Sequence, residues 1–366
     1  MMSGIWMHEC SYETQPMHFG QFRVAALFLT TLTLLVAPGL AEAADTVRVR
    51  HSVGDLSAAD QQLFIDAMYA MKAAPARGDG KLATNRYDEY VQLHSEFRLH
   101  MNSGFLPWHR KMLWEFETEI RQLDPVKFGN FTLPYWNWGW DSFPDTLVGP
   151  GGDPFSGNIV TEGPFAADLW STVNPGPNTG IHSLERAMTD DVMVLNFMSL
   201  ELIQRLIYIS SDFEGFSMSL EMQFHNYAHS TLGGQFATIA GAVDDPFFWL
   251  LHSWVDMVWS RWQVTTGSTT ADDYMMFDGG PGIDDRMSGF GDPSDLTNIG
   301  FDSTMFNTAR DQLDPLNMTT LGYNYEYLGN LVFPTAVVPE PGSLTLAAVS
   351  AAALAGLASM RRERRT

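Results

Sequence analysis

Six histidines fall in two groups of three: His94, His100 and His109, then His225, His229 and His252. Of the ten histidines in the chain, His8 and His18 lie in a leader set aside below, so only His51 and His182 stand outside the two groups. Neutral imidazole binds copper, zinc, iron or nickel near neutral pH, and two sets of three are what a pair of metal ions requires. The pattern predicts a dinuclear metal site. The single cysteine, Cys10, falls in the same leader. The mature chain is therefore expected to have neither a disulfide nor a thiolate ligand, which excludes blue-copper and zinc-thiolate centres.

Helices must position these groups. His225 and His229 are four apart, which sets both rings on one helical face a turn apart, and Gly233-Gly234 marks where that helix stops. This helix is expected over Phe216 to Thr231. Asp245-Pro246 caps the next one, which runs to Gln263 and carries His252 back across a helical hairpin. Upstream, Ser57 to Lys72 has Leu63, Phe64, Ala67, Met68 and Met71 at helical spacing, and Tyr87 to His94 keeps Tyr87, Tyr90, Val91 and His94 on one face. Pro107 to Leu123 begins with a proline suited to a first turn and repeats Met112, Leu113, Phe116 and Ile120. Val192 to Ile209 is a further helix. Gly/Pro-rich loops at Gly149 to Pro154 and Asn174 to Thr179 separate these elements, so the core is mainly α.

Two longer segments carry a resemblance. One reads Asp245-Pro246-Phe247-Phe248-Trp249-Leu250-Leu251-His252-Ser253-Trp254-Val255-Asp256. The other runs from His100 through Met101-Asn102-Ser103-Gly104-Phe105-Leu106-Pro107-Trp108-His109-Arg110 to Leu113 and Glu117. Both closely resemble the copper-binding signatures of tyrosinases and their type-3 copper relatives, in the same order along the chain. Leu133-Pro134-Tyr135-Trp136-Asn137-Trp138, Gly163-Pro164-Phe165, Phe213-Glu214-Gly215-Phe216 and Tyr323-Asn324-Tyr325 extend the resemblance over roughly Val47 to Leu328.

What the resemblance implies is a tyrosinase-like four-helix bundle with long irregular loops around two copper ions. One ion is assigned to His94, His100 and His109, the other to His225, His229 and His252. His94 is preferred over His51 or His182 because Tyr87-Asp88-Glu89-Tyr90 resembles the family's helix. The implied activity is dioxygen-dependent ortho-hydroxylation of monophenols and oxidation of o-diphenols to o-quinones. A phenol with its ordinary pKa of about 10 needs a base near the metal. By the resemblance, Glu214 and Asn226 hold a water for that purpose; the alternative is that Glu214 satisfies free amides at a helix start and Asn226 makes a backbone contact. Phe247 or Phe248 is a candidate border of the substrate pocket, and Asp256 is expected to orient an imidazole or pair with a cation.

Three departures stand out. Asn137 occupies a position where most relatives have Asp, which removes a charge that could orient a ligand. Leu251 replaces a second histidine found in many, and no shielding C-terminal domain has a counterpart in the sequence, so an open site is expected. A catechol oxidase without hydroxylase activity is the nearest alternative function, with a dioxygen-binding protein behind it. A zinc hydrolase would need a His-Glu-x-x-His element or bridging acids, and the groups contain neither.

The ends of the chain carry addresses rather than chemistry. Val24 to Val36 is apolar, follows Arg23 and precedes Ala41-Glu42-Ala43, the form of a signal peptide over residues 1–43, with translation starting at Met1 or Met17. Pro339-Glu340-Pro341, an apolar stretch and Arg361, Arg362, Arg364 and Arg365 resemble a PEP-CTERM sorting signal over 339–366, which implies exosortase handling at the envelope of a Gram-negative bacterium. Between them lie a catalytic domain over 44–330 and a linker over 331–338. The formal charge of -22 argues against nucleic acid or an anionic membrane as partner, and the acids between Asp272 and Asp302 show no calcium-loop pattern, so they read as solvated loops. Dioxygen and small phenols are the expected partners.

Overall fold

Helix α1 (Ala58–Ala73) begins where Ser57 accepts the Asp60 amide and Asp60 takes the Ser57 amide in return, a capping box that closes two otherwise open donors. Helix α2 (Arg86–Glu96) buries Tyr87, Tyr90, Val91 and His94 along one face, as the spacing predicts. Helix α3 (Phe105–Leu123) starts two residues before Pro107, which sits in the first turn where its missing N–H removes no helical bond. Helix α4 (Leu200–Ile209) is capped by Ser199. The expected start at Val192 lies outside the described residues.

The expected helix from Phe216 to Thr231 is not one regular α-helix. It is α5 (Phe213–Ser219), a wide π-turn over Leu220–His225 and α6 (Asn226–Leu232). The Asn226 amide bonds to the Glu221 carbonyl five residues back, the signature of an inserted residue. Gly233 and Gly234 then turn the chain with φ of 61° and 57°. A Cβ on Gly234 would meet the Glu185 carbonyl oxygen at 2.1 Å, so only glycine fits there. Helix α7 (Phe247–Thr266) opens with the Asp245 carboxylate accepting the Phe247 amide at 2.9 Å and ends at Gly267 with φ of 75°.

The computed structural model describes residues 47–78, 83–96, 99–139, 141–173, 180–188, 199–287, 293–302, 305, 308–315 and 321–326. The expected leader and sorting tail lie outside them. Helix α3 packs on α7, α1 packs on both α2 and α3, and α4 and the π-turn pack on α7. Strand β1 (Arg48–Arg50) pairs in parallel with β4 (Tyr323–Tyr325), while β2 (Ser171–Thr172) and β3 (His182–Ser183) form a small antiparallel pair. The architecture is mainly α with long irregular connections. Among the described residues no helix is long and apolar enough to cross a membrane.

A buried charged hub ties these elements together. Asp256 on α7 accepts Arg110 Nε from α3 at 2.5 Å, Arg50 Nη1 from β1 at 3.3 Å, and the hydroxyls of Tyr323 and Tyr325 from β4 at 2.5 and 2.6 Å. Glu117 takes the other edge of Arg50 at 3.0 Å. A buried charge persists only when its partners are arranged this fully, so the hub fixes how α3 and α7 meet. It lies one residue from His109 and one turn from His252. Around it the interior is aromatic, with Phe116 and Trp249 stacked at 3.5 Å between ring centres.

Candidate metal centre

His94 comes from α2, His109 from α3 and His100 from the loop between them. His225 ends the π-turn, His229 lies on α6 and His252 on α7. The structure brings each set of three together, with one ring nitrogen per residue within 4.8 Å of the others in its set. The sets abut: the His109 and His252 rings stack at 4.5 Å, and His100 lies 5.9 Å from His225, between ring centres. All six predicted histidines therefore meet at one place, whereas His51 pairs with Glu326 and belongs to neither set.

For four of the six rings the hydrogen-bond partners decide which nitrogen is offered. Nδ1 of His94 donates to the Ile239 carbonyl at 2.8 Å, Nδ1 of His109 to the Phe105 carbonyl at 2.8 Å, and Nδ1 of His229 to the Phe236 carbonyl at 2.6 Å. Nδ1 of His225 faces Asn226 Oδ1 at 2.9 Å. These acceptors assign the proton to Nδ1 and leave a lone pair on Nε2. Nε2 of His94, His109 and His229 is buried with no hydrogen-bond partner, and Nε2 of His225 faces Nε2 of His252 at 3.3 Å. Buried acceptors without a donor are costly, and a pair of cations among them would satisfy every one. Imidazole nitrogens without a carboxylate in either set suit copper, zinc, iron or nickel rather than magnesium, calcium or manganese.

Burial also keeps the rings neutral. It pulls His94 down to about 3 and His229 down to about 4, and holds His100, His109, His225 and His252 well below the usual imidazole range, neighbouring rings adding to the effect on these four. A metal ion thus meets no competing proton near neutrality. Phe248 supports this floor by stacking on His252 at 4.0 Å and meeting His94 edge-on at 5.0 Å.

Above the rings lies a cavity of about 220 Å³ lined by Met101, Glu221, Asn226, Ser230, Thr238 and Ile239 with four of the histidines. A larger cleft of about 490 Å³ beside β1, lined by His51, Arg121 and Glu326 among others, contains none of the six. Neither Phe247 nor Phe248 borders the smaller cavity; both are buried beneath it. Asn137 meets Asp141 through its backbone, and none of the Nδ1 partners above is Asn137. Leu251 is buried in the core.

Glu214 is not brought to the site. It is exposed in the first turn of α5, outside the cavity lining. The carboxyl at the site is Glu221, on the π-turn four residues before His225 and 1 % exposed. Its Oε1 accepts the Met101 amide at 2.7 Å, and its Oε2 is buried without a partner. Burial pushes it up to about 8. The Met101 bond holds the residue after His100 in a left-handed conformation, φ 58°, which is rare for a side chain of this kind. Asn226 lines the same cavity, with Oδ1 toward His225 and Nδ2 3.9 Å from Met101 Sδ.

Residues 84–265 match the family described as the common central domain of tyrosinase. The chain is 30% identical over 243 residues to a tyrosinase of Streptomyces lincolnensis, covering 59% of this chain and 82% of that one. Against a tyrosinase of Streptomyces glaucescens it is 29% identical over 281 residues, 68% of this chain and 95% of the relative. Its fold is similar to that of a polyphenol oxidase variant from Thermothelomyces thermophila, with a TM-score of 0.58 at 21% identity, covering 77% and 89% of the two chains.

Proposed function

The chain belongs to the tyrosinase family of type-3 copper proteins, and on that premise we propose that it is an exported tyrosinase that hydroxylates monophenols and oxidises o-diphenols. Membership makes it a copper-dependent oxidoreductase acting with dioxygen on phenols. When bound, the copper pair supplies dioxygen activation and the change of oxidation state. His94, His100 and His109 hold one ion in this reading, and His225, His229 and His252 the other.

The observation that carries the monophenol step is the placement of Glu221. A phenol must lose its proton before it can act as a ligand, and at about pKa 10 it does so only with a base in reach. Glu221 Oε2 is a buried carboxyl oxygen with no partner in the wall of the cavity above the histidines. Burial alone favours its protonated form. With cations held by the histidines, Glu221 would be drawn back toward carboxylate and could serve as the base. Asn226, fixed against His225, stands on the same wall and orients a water between phenol and carboxylate. In this reading Glu221, beside Asn226, takes the role that the resemblance assigns to Glu214.

Comparing wild type with Glu221→Gln on tyrosine and on DOPA tests this. Loss of the tyrosine reaction with the DOPA reaction retained supports the assignment; equal loss of both, or of neither, refutes it. Export rests on the leader and the PEP-CTERM-like tail. Envelope fractions should yield a chain whose mass begins near Ala44. Full-length chain confined to the cytosol would contradict it.

A further inference from the structure

One short segment touches both sets of histidines. Phe236 offers its carbonyl to His229 of the second set, and Ile239, three residues on, offers its carbonyl to His94 of the first. Phe236 also stacks its ring on His229 at 4.3 Å between centres. The segment is not free to adjust at one end alone. Thr238 Oγ1 donates to the Gln235 carbonyl and accepts the Gly241 amide, both at 3.0 Å, and the Ala242 amide closes back on the Thr238 carbonyl at 2.9 Å. Gln235 anchors the start, donating to Thr172 Oγ1 at 2.7 Å and accepting the Glu185 amide at 3.2 Å. The outer side of Ala237, Thr238 and Ile239 faces solvent at the rim of the cavity.

We propose that Phe236–Ile239 is a strap through which each set of histidines governs the metal affinity of the other. Each carbonyl fixes a tautomer and a ring orientation, and the two carbonyls belong to one hydrogen-bonded turn. Losing the ring at one end releases the carbonyl there, loosens the turn and leaves the ring at the other end less well aimed. Partners of this kind typically change metal affinity by about 10–100-fold, and a coupling between sites acts equally in both directions. Thr238 is the positioning residue, since it lies between the two carbonyls and its hydroxyl bonds to the Gln235 carbonyl and the Gly241 amide. The inference rests on the reading of both triads as metal sites.

Zinc binding to the full chain, measured by calorimetry with one triad disabled, tests the coupling without repulsion between two ions. His94→Ala and His100→Ala each remove one ligand from the first triad, but only His94 is tied to the strap. Zinc at His225, His229 and His252 should bind about tenfold more weakly in His94→Ala than in His100→Ala. Thr238→Gly added to His100→Ala should reproduce that loss, which separates the strap from the Phe248 contact shared by His94 and His252. In the otherwise unaltered chain, Thr238→Gly should weaken both zinc-binding steps together, a result available even if His94→Ala fails to fold. Equal affinities in His94→Ala and His100→Ala, or one unaffected step in Thr238→Gly, would overturn the strap. Failure of the unaltered chain to bind two zinc ions would instead overturn the metal assignment beneath it.

Discussion

The two triads solve the same problem with different means. The second takes His225 and His229 from one face of a single helical run and closes with His252 on the next helix, so its geometry is largely local. The first takes one histidine from each of two helices and a third from the loop between them, and His94 owes its orientation to a carbonyl 145 residues away. In the second, the side chain of Asn226 holds one of the rings. A local pair can be set by helix geometry alone; a dispersed trio needs the rest of the fold in place. The first triad should therefore be the more sensitive to anything that loosens packing.

Acid is the strongest way to press that difference. His94 has its folded value lowered from 6.5 to about 3, so below 6.5 the unfolded chain takes up a proton that the folded chain refuses. Stability is then lost as pH falls, by about 2 kcal/mol at pH 5 for this one ring. The other five shift in the same direction. Glu221 and Asp244, raised to about 8 and about 7 by burial, act oppositely: they hold protons in the folded state and cost stability as pH rises through those values. Denaturant titrations of the metal-free chain should show a maximum near neutrality and a steep fall toward pH 5. A flat profile would remove the claim that the rings are buried neutral.

Next in size is the hub that both triads share. Asp256→Asn leaves Arg110 without its buried counter-charge, and breaking such a pair costs about 3–5 kcal/mol. Urea unfolding should show that loss, and zinc affinity should drop at both triads. A drop confined to one would mean that α3 and α7 are positioned independently. Glu221→Gln follows: the monophenol rate should fall by about 10²–10⁴, the range for a positioned base, with two copper ions per chain retained. Smallest is Asn226→Ala, which removes the side-chain partner of His225 and should weaken the second triad alone by about 10–100-fold. Stepwise zinc titration would reveal an unexpected effect on the first.

The asymmetry also explains what could be read from the sequence. The four-residue spacing of His225 and His229, the segments around His109 and His252, and the long helices were legible because helical periodicity and caps are local properties. Glu214 is singled out in the sequence because the surrounding Phe-Glu-Gly-Phe resembles the family, and nothing in that resemblance points to Glu221. That stretch lies in the first turn of α5, where Glu214 is exposed, and the π-turn between it and His225 carries Glu221 into the cavity wall. A physical signal was nonetheless present: Leu220, Glu221, Phe224, His225 and Ala228 form one buried face, and an acid at such a position is rarely there without a purpose. The carbonyls of Phe236 and Ile239 could not be read at all, since every residue carries one and only the fold determines which ring it meets.

The parallel pairing of β1 with β4 places one of the first described strands against one of the last, and Asp256 receives hydroxyls from Tyr323 and Tyr325 only once that pairing exists. A ribosome that has released residues up to α7 has thus made every histidine ligand but not yet the clasp that seats them. The seating of the ligands therefore waits on residues made after all of them, an order compatible with the export proposed above.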